Sequence, residues 1–130
     1  MIYSLIVLSS PATGRCATTA AQFARAAINR GHSIHRVFFL DEGASAGINN
    51  AVFPQDEHER LRPWIELAQE HQVDLVLCIS SALRRGILDD EEARRHEKQA
   101  VTTHSAFTIS GLGQLVDATA HSDRVLTFGG

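Results

Sequence analysis

Two cysteines, Cys16 and Cys78, are the residues of this 130-residue chain best suited by type to covalent chemistry. The thiolate is the reactive form of either, so what matters is what surrounds each sulfur. Cys78 stands at the end of the apolar run Val73–Ile79, one residue before Ser80–Arg85, a short stretch with helical character ended by Gly86. A thiolate there would feel the unpaired N–H groups of a helical first turn, a field of about 0.3–1 kcal/mol at an exposed site. Further activation would need Arg84, Arg85 or a cation from a partner. Position alone leaves two readings open, an activated nucleophile and an inert cysteine buried at a strand end, since free cysteine is among the most buried residue types. Cys16 lies in the loop after the first apolar run. It can be read as a second reactive thiol, as a neighbour of Cys78 across the same sheet edge, or as an incidental loop residue.

Other patterns are weaker. Cys78 and Arg84 have the C-x5-R spacing of cysteine phosphatases, and rhodanese-type sulfurtransferases also cradle a cysteine near basic residues. The intervening Ile-Ser-Ser-Ala-Leu holds no glycine for a strained anion loop, so a solvated Arg84 is the default. Ser10-Pro11-Ala12-Thr13-Gly14-Arg15-Cys16-Ala17-Thr18 resembles the phosphate loop of flavodoxins, with hydroxyls and a glycine before a helix start. A flavin wants aromatic walls, and the chain has one Trp and one Tyr, expected inside a helix and the first strand. Ser110-Gly111-Leu112-Gly113 is a lone Gly-rich helix start with Ser110 as its N-cap. The seven histidines show no convergence: His32 and His35 point to opposite faces of a strand, while His71 and His96 suit helix C-termini. No metal site and no Ser/His/Asp triad is assigned, and no cofactor is expected.

The elements that must position these groups alternate between strand and helix. Ile2–Leu8, Ile34–Leu40, Val73–Ile79, Phe107–Ile109 and Arg124–Phe128 read as strands. Thr18–Arg30 reads as a helix, with Ala20, Phe23, Ala24, Ala27 and Ile28 on one face and Gly31 as its C-cap. Asp56–His71 reads as a second helix, with Leu61, Trp64, Ile65 and Ala68 inward and Pro63 marking a kink or the true start. Asp89–Lys98 reads as a charged surface helix, and Ser110 opens another through about Ala120. Asp41–Gln55 is a long Gly/Asn/Ser loop, a candidate functional loop or interface. The alternation predicts an α/β fold with a mainly parallel sheet and helices on both faces, in a single domain over residues 1–130. In such sheets chemistry collects at the carboxyl ends of the strands, where Ser9–Cys16, Asp41–Gln55 and Cys78–Ser81 fall.

Composition narrows the classes. A formal net charge of −3 offers no concentrated basic surface for direct nucleic-acid or anionic-membrane binding. At 44% hydrophobic residues, a core is affordable. Two widely spaced cysteines suggest neither a metal knuckle nor a disulfide framework, which points to a reducing, cytoplasmic compartment. The apolar start lacks the basic flank and length of a signal peptide, and no segment approaches the roughly 20 apolar residues of a membrane span.

Taken together, the segments resemble the DsrE/TusD sulfur-relay family. The resemblance rests on Phe23-Ala24, Gly31-His32, Arg36-Val37-Phe38-Phe39, Asp41-Glu42-Gly43 and the Trp64 helix. It is strongest over Leu77-Cys78-Ile79-Ser80-Ser81-Ala82-Leu83-Arg84-Arg85-Gly86-Ile87, and closes with Ile109–Leu115 and Asp123-Arg124-Val125. It covers nearly the whole chain in order. It implies a Rossmann-like DsrE fold and a sulfurtransferase with Cys78 as the catalytic persulfide carrier. It also implies a heterohexamer with TusB- and TusC-like (DsrH- and DsrF-like) subunits, a TusA-like donor and a TusE-like (DsrC-like) acceptor. The sulfur would serve 2-thiolation of the tRNA wobble uridine, or sulfur oxidation in the Dsr counterpart. Thr13-Gly14-Arg15-Cys16 departs from the pattern, so no role of Cys16 is carried over. Two readings from other classes remain beside it: a flavodoxin-like small-molecule binding module, and a non-catalytic assembly subunit.

Overall fold

The computed structural model describes residues 1–129. Five strands form one sheet in the order β4-β3-β2-β1-β5, every neighbouring pair parallel. They are β1 (Ile2–Val7), β2 (Ser33–Phe39), β3 (Asp74–Cys78), β4 (Phe107–Ser110) and β5 (Arg124–Phe128). The helices between them are α1 (Cys16–Asn29), α2 (Arg62–His71), α3 (Ile79–Arg84), α4 (Asp90–Arg95) and α5 (Gly113–Ala120). Each strand matches its expected segment to within a residue or two, because short β-branched and aromatic runs bounded by turn residues have few other solutions.

The period-2 alternation of the central strands divides the core in two. Val37, Phe39, Leu75 and Leu77 face α1 and α2 and join the large cluster with Trp64, Leu67 and the alanines Ala17, Ala20, Ala21, Ala24 and Ala27. Small side chains let α1 lie close on the sheet. Phe38, Val76 and Cys78 face the other way and form a small separate cluster, flanked by Leu40 and by Leu115 of α5. The Cys78 sulfur therefore sits on the thin side of the sheet, with the main core behind it.

Helix ends follow local chemistry. Gly31, at φ +87°, ends α1 in the left-handed region that a side chain avoids. Pro63 occupies the first turn of α2, where its missing N–H costs nothing, so the helix begins at Arg62 and not at Asp56. Ser110 pairs with Cys78 as the last residue of β4 and caps nothing, since α5 starts at Gly113 after Leu112. Asp89 caps α4 by accepting from the Glu92 N–H at 2.8 Å. That helix is shorter than expected and not wholly at the surface: Glu92 and Ala93 are buried, with Glu92 Oε1 accepting from Arg95 at 3.0 Å.

The segment after β2 is more ordered than a loop. Asp41–Gly47 is a 3-10 helix with Gly43, Ala44, Ala46 and Gly47 buried against the strand ends. A Cβ on Gly43 would stand 2.0 Å from the Val7 carbonyl oxygen, so only glycine lets this turn approach β1. Ile48 then makes an antiparallel bridge to Thr103. Among the described residues no helix is long and apolar enough to cross a membrane.

Candidate active site

Cys78 is the last residue of β3 and the N-cap of α3, with φ −60° and ψ 125°. The chain turns directly from strand to helix, so Ser80 and Ser81 enter the first turn with backbone N–H groups that have no partner within the helix. The Cys78 sulfur lies 3.5 Å from the Ser80 hydroxyl. Burial pushes the thiol up, since a thiolate loses water there. The hydroxyls and N–H groups of Ser80 and Ser81, which all favour the thiolate, outweigh that cost and hold the thiol below its ordinary value.

The site is braced from β2. Ser81 is buried, and its hydroxyl accepts from the Asp41 N–H at 3.0 Å. Asp41 takes φ +53° at the entry to the 3-10 helix. Arg85 donates to the Ser81 carbonyl at 3.0 Å and pairs with Glu42, joining α3 to the same turn. The helix that follows the thiol is thus fixed at Ser81 and Arg85 by contacts from the turn after β2. The sulfur itself is well covered, with Cys78 only 3% exposed.

The other sequence candidates fall apart in space. Residues 79–84 form a helix and not an anion cradle, and Arg84 is exposed at its end. Cys16 is the first residue of α1, partly exposed, after β1; β2 runs between β1 and β3. Both cysteines are free thiols. The first loop borders a cavity of about 390 Å³ lined by Gly14, Arg15, Thr18, Thr19, His58 and Arg60. Trp64 is fully buried against Phe39, and Tyr3 packs on Phe23, so neither forms a wall of that cavity.

Two arrangements are not legible along the sequence. The hydroxyls of Ser80 and Ser81 turn toward the Cys78 sulfur, which the Ser-Ser dipeptide alone does not reveal. The histidines do converge in one place: His35 and His121 meet across Asp117, with ring centroids 5.7 Å apart. The four-residue spacing of Asp117 and His121 on one helix carried half of that signal.

A five-stranded parallel sheet packed with helices, with a free thiol at a carboxyl strand end, defines a protein of the Rossmann-like α/β class. The profile of the DsrE/DsrF-like family matches residues 1–128, and the chain belongs to that family. It is 41% identical over 129 residues to a DsrE protein of Allochromatium vinosum, covering 99% of each. It is 39% identical to the sulfurtransferase TusD homolog of Pseudomonas aeruginosa over 96% of this chain and 95% of that one. The sulfurtransferase TusD of Serratia proteamaculans is 38% identical over 98% of this chain and all of its own. The fold is that of the ychN protein from E. coli, at a TM-score of 0.77 and 18% identity over 98% of this chain and 99% of that one. With full-length relatives of this kind, the chain is a sulfurtransferase.

Proposed function

We propose that this chain is the cysteine-bearing subunit of a sulfur relay, accepting sulfane sulfur on Cys78 as a persulfide and passing it to a downstream carrier. The observation that carries the reading is the Cys78 thiol on its strand-to-helix turn, with Ser80 and Ser81 donating to it.

The steps are two displacements of the thiol–disulfide type. The Cys78 thiolate attacks the outer sulfur of a donor persulfide. A new S–S bond forms to Cys78, the donor's S–S bond breaks, and its electron pair leaves on the donor thiolate. Cys78 then carries the persulfide. An acceptor thiolate next attacks that outer sulfur, and Cys78 leaves as a thiolate. No net oxidation occurs, and the steps balance without a cofactor. The same donors serve both halves, since a stabilised Cys78 thiolate is the nucleophile of the first and the leaving group of the second. Ser80 lies on the exposed side and Phe38 and Val76 on the buried side, so a partner must approach along α3.

The partners this reading gives are two homologous subunits of the TusB and TusC (DsrH and DsrF) type in a heterohexamer, with a TusA-like donor and a TusE-like (DsrC-like) acceptor. The end use is 2-thiolation of the tRNA wobble uridine or its sulfur-oxidation counterpart. Cys16 is dispensable in it.

The test is intact mass after incubation with a persulfidated donor carrier. Cys16→Ser should gain the mass of one sulfur atom and Cys78→Ser should gain nothing. Loading of Cys78→Ser with failure of Cys16→Ser would move the carrier to the first loop. No loading of either variant, with the native chain also inert, would leave a purely structural subunit.

A further inference from the structure

The cluster of His35, Asp117 and His121 depends on an irregularity in the sheet. In the parallel pairing of β1 with β2, Tyr3 opposes Ile34 but Ser4 opposes Arg36, so His35 is skipped. Such bulges are rare between parallel strands, and they re-aim side chains. Here consecutive residues turn to the same side. His35 Nε2 lies 3.2 Å from Asp117 Oδ2, and Arg36 Nη1 lies 2.7 Å from that same oxygen. From α5, His121 Nδ1 lies 3.0 Å from Asp117 Oδ1 and 2.9 Å from the Asp117 carbonyl oxygen.

We propose that His35, Asp117 and His121 bind a divalent first-row transition-metal ion of the zinc, cobalt or nickel type, with water completing its coordination. One ligand atom from each residue lies within 4.8 Å of the other two. Two imidazoles and a carboxylate are a donor set these ions take, at bond lengths of about 2.0–2.2 Å. Ligand atoms around a tetrahedral ion at that length stand about 3.4 Å apart, close to the 3.0 and 3.2 Å already present between the carboxylate and each ring. The two contacts run to different carboxylate oxygens, so the ion requires one ring or the carboxylate to rotate and His121 Nδ1 to leave the Asp117 carbonyl.

The charge around the cluster is suitable. Arg36 would oppose a cation, but it is shared: its Nε lies 2.7 Å from Asp74 Oδ2 while Nη1 holds Asp117 and the Gln114 carbonyl. Two carboxylates face one guanidinium, leaving a net negative charge for a divalent cation with neutral imidazoles. Arg36 also fixes the Asp117 carboxylate in place, as outer-shell partners of metal ligands do. The His121 side chain is 62% exposed, so water can reach the ion and the ion can exchange. Bound there, the ion would tie β2 to the end of α5, the helix whose Leu115 packs on the Phe38–Val76–Cys78 cluster.

This site is separate from Cys78 and does not rest on the sulfur-relay reading. It is tested by calorimetric titration of the full chain, carrying no added histidines, with Zn²⁺. The native chain and the Cys16→Ser/Cys78→Ser double variant should each take one ion per chain. His35→Ala and His121→Ala should each bind at least tenfold more weakly, with unchanged circular dichroism. His121→Gln replaces the alanine variant if the latter loses helix signal. Cobalt bound by the double variant should show ligand-field absorption without a sulfur-to-metal charge-transfer band. Binding that disappears in the double-cysteine variant, that survives in both histidine variants, or that is absent at millimolar Zn²⁺ overturns the site.

Discussion

Ser80→Ala isolates one donor to the Cys78 sulfur. The Ser80 hydroxyl stands 3.5 Å from Sγ, and Ser80 is exposed, so its removal leaves no cavity and orphans no buried group. Ser81→Ala would be less clean, because the Ser81 hydroxyl also accepts from the Asp41 N–H. A hydrogen bond to a charged group contributes about 1.5–3 kcal/mol. A long bond to sulfur from a hydroxyl on an exposed residue, which water can partly replace, should contribute about 1 kcal/mol, roughly a fivefold change in the thiol–thiolate equilibrium. The sign follows from the state that is favoured. The hydroxyl stabilises the thiolate, so its loss raises the thiol's titration point toward the ordinary value. The assay is the rate of alkylation by iodoacetamide against pH in a Cys16→Ser background, where only Cys78 reports. Below the titration point Ser80→Ala should react about fivefold more slowly, as the ~1 kcal/mol loss requires; above it the two rates should meet. A profile that does not move, or that moves to lower pH, would refute the claim that this hydroxyl activates the sulfur.

Two further predictions concern the frame. Trp64 is fully buried and meets Phe39 edge-on at 5.1 Å, so Trp64→Ala should lose about 3–5 kcal/mol in a urea or guanidinium titration. Gly43→Ala forces a Cβ to within 2.0 Å of the Val7 carbonyl oxygen. It should cost at least the ~1–3 kcal/mol of overpacking, with the loss visible in the same titration and with slower Cys78 alkylation, because the displaced turn carries the Asp41 N–H that holds Ser81.

The strands, the main helices and the placement of Cys78 at a carboxyl strand end were legible along the chain, because they depend on local rules. Apolar runs such as Val73–Ile79 and the helical spacing of Ala20, Ala24 and Ala27 need only the period of the backbone. Where expectation and structure part, the missing information is non-local. Asp41–Gln55 reads as a long Gly/Asn/Ser loop, yet its first part, Asp41–Gly47, is a 3-10 helix whose small residues are selected by the closeness of β1 and β3, which no window around them reveals. Ser110 has the type of a helix cap but is claimed by pairing with Cys78, a partner 32 residues away. Glu92 reads as surface charge, yet it is buried and paired with Arg95 three residues on. His35 and His121, 86 residues apart, become neighbours only because β2 bulges and α5 returns across the sheet to lie beside it. The sequence alone determined the alternation of elements and put a cysteine where strand gives way to helix. Tertiary structure decided which groups surround that sulfur and which distant side chains meet, since backbone periodicity fixes a residue's face but only packing fixes what that face meets.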